Sequence, residues 1–490
     1  MRKSVRALLV LCGLLIPSVG LVVTVGAVGI SPQILNVIYR VRVPRPDGNT
    51  DFMDTTLQSE RNQFVSNGAI FYLPRDNVAG TALVYREYLV SIPDHMISQF
   101  INEGGYTTEA PLGYPYSSSG TVRGLTQIVR AINSATSDNI TLRQGDTPPA
   151  GWGNVAGLSR WGYKRYSTQS ESILSLAAGG VEIQSNAVAG GALWRWNWNG
   201  LQFVNDRDYG RQIQSAVFWN DGVGHNPTEA GDKTSDVSGV PRPEDRHGSP
   251  LHALLNSGSM QVSRAIPLEF DQNLFGGDDS HPAVYQDMLL GKNITLNWNG
   301  LGSVAQYQTE LYLPQSVSGA QIEIPTAYLN PQPSATNPNI KLTRFFTYDA
   351  QANSGAGGWQ EVFPQNHCPQ ANSGNFDLNN FNFSAGSFKY GGIIVATQDL
   401  SAAMGIFGHK PEVGGSVDYF TLLDGSGCAG SDGETGNRYI KYAAVYGATA
   451  TTIGRTLPAG ETFFTAWITT STFNGVVANM HSVYCAIHGC

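Results

Sequence analysis

The residues with the clearest chemical potential follow an aromatic hairpin. Residues 190–216 contain three alternating tryptophans that end at Trp198, then an Asn-Gly turn and a second strand, after which an Asp-Tyr-Gly corner delivers Arg211 and Gln214. A pyranose has an apolar C–H face, which an aromatic ring can cover, and a rim of hydroxyls, which a guanidinium or an amide can bind. The segment therefore predicts a carbohydrate site that includes Trp198, Arg211 and Gln214. The alternative is that the tryptophans are strand residues whose alternate rings belong to a core.

A proline-anchored loop after this segment offers further polar groups. His225, Asn226 and Glu229 lie in the run His-Asn-Pro-Thr-Glu-Ala-Gly-Asp, which a turn would hold rigidly at one end of a β-sandwich. We expect His225 and Asn226 to bind a ligand, and Glu229 to act as an acid or base or to bind a sugar hydroxyl. The alternative is that Asn226 and Thr228 cap the turn while Glu229 pairs with a structural arginine.

A second polar cluster occupies loops rich in Gly, Pro and Asp. It supplies two further candidates for acid–base catalysis, His252 and His281, and a further candidate for ligand binding, Tyr285. A His and a Tyr near an Arg also suit a polysaccharide lyase, although no motif accompanies that analogy.

Metal binding has little support from spacing. The histidines form no zinc signature, and the sequence requires no cofactor. Calcium is compatible with the oxygen-rich loops at Asp278 and Asp279 or at Asp206 and Asp208, although neither loop contains a full set of ligands.

The cysteines predict disulfides in an exported chain. One of the five, Cys12, lies within an apolar N-terminal run. The other four allow two disulfides with three connectivities: Cys368, Cys428, Cys485 and Cys490. Cys485 and Cys490 also flank His488, but their spacing does not match a zinc pattern.

The composition and the N-terminus indicate an exported protein. Arg2, Lys3 and Arg6 precede an apolar run to about residue 30, which predicts a signal peptide or a membrane anchor at residues 1–30. We therefore expect a secreted or cell-surface location, with membrane contact only through an uncleaved N-terminal segment. The net charge of -8 and the absence of a basic run argue against a nucleic-acid partner.

The hydrophobic pattern predicts an all-β protein with antiparallel sheets. Short alternating segments are separated by Gly, Asn, Pro and Ser clusters, and no long stretch has a sustained helical period. We expect an N-terminal extension at residues 31–61, a small β repeat module at residues 62–168, and a large β-sandwich of two stacked sheets at residues 170–490.

The module contains a weak internal repeat. Arg86 and Asp94 recur as Arg130 and Asp138 at the same spacing, which predicts one β unit used at least twice. The motifs of the first copy are Tyr-Arg-Glu-Tyr at 85–88, Asp-His at 94–95 and Gly-Tyr at 113–114, and they resemble small lectin-like repeat domains of secreted bacterial proteins. The second copy has Asn139 in place of the histidine, so the resemblance implies the shape of the module rather than a working ligand site.

The larger part resembles galactose-mutarotase-like supersandwich domains. The motifs are Gly-Ala at 191–192, Trp-Asn-Gly-Leu at 198–201, Gly-Arg at 210–211 and, near the other end, Leu-Pro-Ala-Gly-Glu at 457–461. The resemblance implies that Arg211 contacts a sugar. Epimerases of this kind also use a Glu on a late strand, and residues 439–446 contain none, so plain aldose epimerase activity is not expected.

These observations lead to one main hypothesis and two alternatives. We expect an exported carbohydrate-recognising protein with a binding or degenerate-enzyme role. The first alternative is a glycoside hydrolase or polysaccharide lyase that acts on an extracellular glycan, which would require two ionisable groups on one cleft. The second is a structural surface protein without a small ligand.

Overall fold

The computed structural model describes residues 30–120, 122–165, 173–204, 212–231, 248–276, 281–329, 342–362, 373–377, 390–409, 419–424, 440–446 and 455–490. Antiparallel strands dominate these residues, which contain only three α-helices and a few 3-10 turns, so the predicted all-β class is confirmed. Within the same ranges, no helix is both long and apolar enough to span a lipid bilayer.

The first nine strands form three units with one plan. In each unit the first strand is central and the other two flank it, in the orders β2-β1-β3, β5-β4-β6 and β8-β7-β9. Helix α1 (Gln58–Gln63) lies between β2 and β3. The strand bounds are β1 (Gln33–Pro44), β2 (Thr50–Thr55), β3 (Val65–Pro74), β4 (Val84–Leu89), β5 (Asp94–Ser98), β6 (Thr107–Gly113), β7 (Leu125–Asn133), β8 (Asp138–Arg143) and β9 (Trp152–Lys164).

The three units are equivalent in register. The third residue after Arg40, Arg86 or Arg130 pairs across the hairpin with an aspartate, in the pairs Val43–Asp51, Leu89–Asp94 and Asn133–Asp138. The repeat, predicted to occur at least twice, therefore has three copies. Strands β1 and β2 of the first copy come from the residues expected to form an N-terminal extension, and β1 pairs with both β2 and β3.

The remaining strands build the β-sandwich. Their bounds are β10 (Ile173–Ala178), β11 (Val181–Asn186), β12 (Ala192–Trp198), β13 (Leu201–Gln202), β14 (Gln214–Asn220), β15 (Gly224–His225), β16 (Pro227–Thr228), β17 (Leu251–Ser257), β18 (Met260–Ala265), β19 (Leu268–Glu269), β20 (Ala283–Val284), β21 (Leu289–Leu296), β22 (Val304–Leu313), β23 (Val317–Leu329), β24 (Leu342–Asp349), β25 (Gly358–Val362), β26 (Ser373–Asp377), β27 (Tyr390–Thr397), β28 (Ala403–His409), β29 (Tyr419–Asp424), β30 (Ile440–Tyr446), β31 (Arg455–Leu457) and β32 (Gly460–Ser471). The two other helices are α2 (Ala352–Gly355) and α3 (Phe473–His488).

Two large sheets face each other across one apolar core. Sheet I has the order β26-β29-β30-β23-β14-β16-β19-β20, and sheet II has the order β17-β18-β21-β22-β32-β28-β27-β24-β25. Val217 and Ile322 of sheet I and Ile294 and Phe464 of sheet II are fully buried in this core. Because successive strand residues point to opposite faces, the neighbours of these apolar residues lie on the outer faces of the sheets.

The outer faces of the two sheets differ. Helix α3 covers sheet II, where Val476 and Met480 pack against Phe346 and Ile394 in a second apolar cluster. The outer face of sheet I instead contains amides, charged groups and aromatic rings, and it forms the hollow described below.

The module and the sandwich share one continuous sheet. Strand β1 pairs with β20 at the edge of sheet I, and Leu35 and Tyr72 of the module share an apolar cluster with Ile266 and Val284 of the sandwich. At the other end of the chain a disulfide joins Cys485 and Cys490, which is one of the pairings that the sequence left open. Cys368 and Cys428 lie outside the described residues.

Candidate functional site

A hollow of about 230 Å³ opens on the outer face of sheet I. It crosses four neighbouring strands, β30, β23, β14 and β16. Gln214 and Phe218 point into it because they alternate along β14 with Ser215, whose hydroxyl bonds Tyr307 and Thr309 of the facing sheet. Strand alternation therefore places both side chains on this face, where Gln214 is only 2% exposed and its Oε1 accepts from the Ala230 backbone N–H at 2.7 Å.

An ion pair lies within this hollow. Lys441 of β30 donates to Glu323 Oε1 of β23 at 2.8 Å, and the Lys441 ammonium lies 5.7 Å from the ring centre of Tyr328. The two side chains are 23% and 14% exposed, so a molecule in the hollow can reach them. Burial disfavours the charged lysine, but the charge of Glu323 and contact with Tyr328 hold the pKa of Lys441 above its ordinary value.

Asn226 lies at the rim of the hollow and is held from behind by Glu269. Both carboxylate oxygens of Glu269 accept from the Asn226 backbone N–H, at 3.0 and 3.1 Å, and Tyr285 Oη donates to Glu269 at 2.6 Å. His225 Nδ1 lies 2.8 Å from Tyr285 Oη, and its ring stacks on Trp219 at 4.6 Å. This buried network positions the loop that presents Asn226.

Burial alters the titration of this network. It raises the pKa of Glu269 above its ordinary value, although hydrogen bonds from Tyr285 and from the Asn226 and Asp271 backbones oppose the shift. Burial also raises the pKa of Tyr285, and the adjacent charge of Glu269 adds to the effect.

Two of the predicted ligand-binding residues, Gln214 and Asn226, line the hollow, and two others do not. His225 and Tyr285 lie in the network behind it, at 4% and 0% exposure. Their polar atoms bond each other, Asp221 and Glu269, so the structure places them behind the hollow, and direct contact with a ligand stays a prediction. Their role is to position the loop.

Glu229 belongs to the scaffold. Its side chain is fully buried, forms an ion pair with Lys292 of sheet II, and accepts from Ser263 Oγ at 2.7 Å and from the Ser215 backbone at 3.2 Å. A Cβ on Gly190, whose φ is +58°, would overlap the Glu229 carbonyl oxygen, so the loop is packed tightly. The predicted acid–base role of Glu229 is therefore corrected: it pairs with a structural lysine between the sheets.

The aromatic strand is part of the core. Trp194 and Trp196 are buried, and Trp196 Nε1 donates to Thr470 Oγ1 at 3.2 Å. Trp198 is half-buried and packs against the main core cluster. Trp196 and Trp198 share one face of β12, and a β-bulge at residues 193–195 breaks the alternation before Trp194, so that Leu193 rather than Trp194 joins them in the core cluster. The structure therefore favours the structural alternative for Trp198 over a sugar platform.

His252 and His281 do not line the hollow. His252 Nδ1 accepts from the Gly124 backbone at 3.2 Å, at the contact between module and sandwich. Burial lowers its pKa, and the charges of Arg123 and Arg264 add to the effect. His281 is half-buried beside Pro282, whose carbonyl accepts from Leu35. Neither residue is placed for catalysis in this hollow.

Several predicted residues lie outside the described residues. They are Arg211 and the four aspartates considered for calcium: Asp206, Asp208, Asp278 and Asp279. The chain resumes after Arg211 at Gln212, which is fully buried. The sulfurs of Cys485 and Cys490 are bonded to each other in the disulfide.

A second, larger depression lies on the sheet of β10–β13. It has a volume of about 600 Å³, and Glu182, Arg195 and Asn197 are among its lining residues. The lining residues, all in the described part of the chain, include no aromatic ring. The hollow on sheet I is therefore the better match for a ligand with both an apolar face and hydroxyls.

Sequence reasoning missed Glu323, Lys441 and the aromatic residues Phe218, Phe270 and Tyr328. A signal for Glu323 was present: Gln321 and Glu323 alternate with buried Ile322 and Ile324, which assigns them to the outer face. No local pattern brings β30 beside β23, so the pairing of Glu323 with Lys441 required the topology.

Comparisons with known proteins find likenesses only among solved structures. No family model matches the chain, and no curated protein matches it. A galactose mutarotase-like protein from Clostridium acetobutylicum has a TM-score of 0.34 and 10% identity over 63% of this chain and 97% of its own. A putative aldose 1-epimerase from Escherichia coli K12 has a TM-score of 0.31 and 9% identity, over 61% of this chain and 99% of its own. A GH36 alpha-galactosidase from Geobacillus stearothermophilus has a TM-score of 0.31 and 10% identity, over 64% of this chain and 43% of its own. At these scores the chain is not assigned to a family, and its antiparallel β-sandwich rests on the strand pairings themselves.

Proposed function

We propose that this protein binds a carbohydrate in the hollow on sheet I. The observation that supports the proposal best is the Lys441–Glu323 pair, which is partly exposed on a surface that also contains aromatic rings and amides. The ammonium donates and the carboxylate accepts, so the pair can bond two hydroxyls of an uncharged ligand.

The rings and amides complete the match to a sugar. Phe218, Phe270 and Tyr328 offer apolar surface for a C–H face, and Asn226 is an amide at the wall. Gln214 lines the floor of the hollow, where its Oε1 accepts from the Ala230 backbone. A volume of about 230 Å³ suits one or two sugar residues of a longer glycan rather than a large buried ligand.

Binding is favoured over hydrolysis for this hollow. A glycosidase requires two carboxyl groups across the scissile bond, about 5–10 Å apart. Among the described residues that line the hollow, Glu323 provides the single carboxylate, and it is paired with Lys441. We therefore propose a recognition role rather than a catalytic one.

The test is a glycan array probed with the full chain, followed by calorimetric titration of the best glycan. Glu323→Gln keeps the shape of the side chain but removes its charge, and a hydrogen bond to a charged group contributes about 1.5–3 kcal/mol, so we expect affinity to fall roughly 10- to 100-fold. Phe218→Ala should also weaken binding, because it removes apolar surface from the wall.

The matched control is Glu361→Gln on sheet II. Glu361 forms a similar ion pair with Arg344 at 2.6 Å, with side chains 24% and 25% exposed, and it does not line the hollow. This variant should bind as the wild type does. The proposal is wrong if no glycan binds, or if a folded Glu323→Gln variant binds with unchanged affinity.

We also propose that the protein is exported. The basic residues and apolar run at residues 1–30 support this, and a Cys485–Cys490 disulfide is typical of an oxidising compartment. Fractionation of the native host should place the chain outside the cytoplasm, and recovery only from the cytoplasm would contradict the proposal.

A further inference from the structure

Three buried aspartates meet at the centre of the N-terminal module. Asp51, Asp94 and Asp138 occupy the same register position in the three repeat units, and each side chain brings a carboxylate oxygen within 4.8 Å of the other two. Their exposures are 1%, 0% and 2%. Each unit thus contributes one carboxylate to a common point.

Two of the three carboxylates receive donors from the next unit. Asp51 accepts from the His95 backbone at 3.2 Å and bonds the His95 ring. Asp94 accepts from the Asn139 backbone at 2.9 Å, from Asn139 Nδ2 at 2.6 Å and from the Tyr106 hydroxyl. His95 and Asn139 are the residues that directly follow an aspartate in their own units.

The third carboxylate lacks such a donor. The residue that follows Asp51 is Phe52, which has no polar side-chain atom with which to complete the cycle. Asp138 Oδ1 is buried without a hydrogen-bond partner. A buried anionic oxygen that faces two other carboxylates is costly unless a positive species joins it.

The three arginines of the repeat pattern pair with acids other than the three aspartates. Arg40 pairs with Asp54, Arg86 with Glu60 and Glu109, and Arg130 with Glu103. The imidazole of His95 bonds Asp51 and lies 3.5 Å from Glu109, so it faces two acids.

We propose that Asp51, Asp94 and Asp138 together bind one divalent cation, with Ca²⁺ as the preferred ion. Carboxylates are the ligands that hard cations take, and Ca²⁺ accepts oxygens at about 2.3–2.6 Å, so oxygens up to about 5 Å apart can share one ion. Backbone oxygens or water supply the remaining ligands. The ion would tie the three repeat units together, independently of the proposed sugar hollow.

The test uses the full chain after treatment with a chelator. Calorimetric titration with CaCl₂ should give one site, and the melting temperature should rise with added Ca²⁺ up to roughly 10 mM, a range that covers the weaker extracellular calcium modules. Terbium should bind the same site and luminesce through Tyr106, whose hydroxyl bonds Asp94.

Asp138→Asn separates a cation site from a cluster that is merely protonated. It should abolish the calcium response and, in chelator, melt above the wild type, because it removes one of three crowded charges. Asp146→Asn is the control, since Asp146 pairs with Arg143 in the same module and should leave the response intact.

The outcomes are distinct. The proposal is overturned if the wild-type chain neither binds Ca²⁺ nor gains melting temperature, even if Asp138→Asn is more stable; the carboxylates would then share a proton. It is also overturned if the Ca²⁺ response persists in Asp138→Asn. If Asp138→Asn does not fold, Asp51→Asn provides the same comparison. If neither variant folds, the calcium titration of the wild-type chain decides the proposal.

Discussion

Replacing Glu229 with glutamine tests whether this residue belongs to the scaffold. Lys292 is 1% and Glu229 0% exposed, and the pair joins sheet II to the loop after β16. Glu229→Gln leaves the lysine buried without its opposite charge. Removing one partner of a buried pair costs about 3–5 kcal/mol, so we expect the free energy of unfolding to fall by that amount.

The variant should also acquire a characteristic pH dependence. Burial lowers the pKa of Lys292, and Glu229 opposes that shift, so loss of Glu229 lowers the pKa further. In the window between the folded pKa and the ordinary value of 10.5, the unfolded chain then binds more protons than the folded chain. The stability of Glu229→Gln should therefore recover as the pH rises through this window.

A double-mutant cycle with Lys292→Met isolates the pair. The double variant removes both charges, so it should be less destabilised than the sum of the single variants. The matched comparison is the Lys–Glu pair of the hollow, Lys441–Glu323, which is 23% and 14% exposed. Because water screens that pair, Glu323→Gln should lose only about 0.2–1 kcal/mol of stability.

Urea unfolding followed by tryptophan fluorescence and circular dichroism measures these values. The structural assignment of Glu229 is refuted if Glu229→Gln unfolds at the wild-type urea concentration. It is also refuted if this variant keeps its stability but loses a sugar-processing activity that the wild type shows.

Two further predictions concern the network behind the hollow and the C-terminal helix. Burial raises the pKa of Glu269, so the stability that the protonated group contributes is fully present below its unfolded pKa of about 4.5 and is lost as the pH rises through the folded pKa. Between these two pKa values, the urea midpoint of the wild type should therefore fall more steeply with pH than that of Glu269→Gln. Equal pH dependence of the two midpoints would contradict the assignment. Met480→Ala should lower the free energy of unfolding by about 2–5 kcal/mol, because Met480 is fully buried between α3 and sheet II. Phe463→Ala, at an exposed position, is the control and should lower it far less. Equal urea midpoints for the two variants would contradict this packing.

The fold class followed from sequence because strand alternation is local. The alternating segments around residues 311–313, 321–324 and 463–468 lie in β22, β23 and β32, as predicted. Helix α3 was missed, although its buried residues Phe473, Val476, Met480 and Val483 have a helical period. The period spans only one helix at the chain end, and Gly475 and adjacent valines weaken its helix propensity.

The first copy of the repeat, β1 to β3, was missed because of one connection. The link between Arg40 and Asp51 is three residues longer than the equivalent links in the other two units, so a search at constant spacing does not align it. The pairing of β1 with β2 still has the register of the other two units, because the extra residues lie in the turn of the hairpin and do not shift the paired strands.

The candidate site could be predicted only in part. Gln214 and Asn226 were found because they lie close to each other along the chain, in β14 and in the loop that follows it. Trp198 was misplaced because an aromatic strand has the same pattern whether its face is open or covered. Glu323 and Lys441 are separated by more than 100 residues, and only the order β30-β23-β14 brings them together.

The buried ionic groups explain how the 225–231 loop holds Asn226 at a fixed position beside the hollow. Glu229 anchors one end of the 225–231 loop through Lys292, and Glu269 holds the Asn226 backbone at the other end. Substitutions at either acid should therefore reduce glycan binding through loss of folded protein, with unchanged affinity in the molecules that remain folded. Substitutions at Glu323 should do the reverse, since stability depends little on a partly exposed pair while affinity depends on its contact with the ligand. Measuring stability and glycan affinity for variants of all three acids thus separates residues that position the loop from a residue that contacts the ligand.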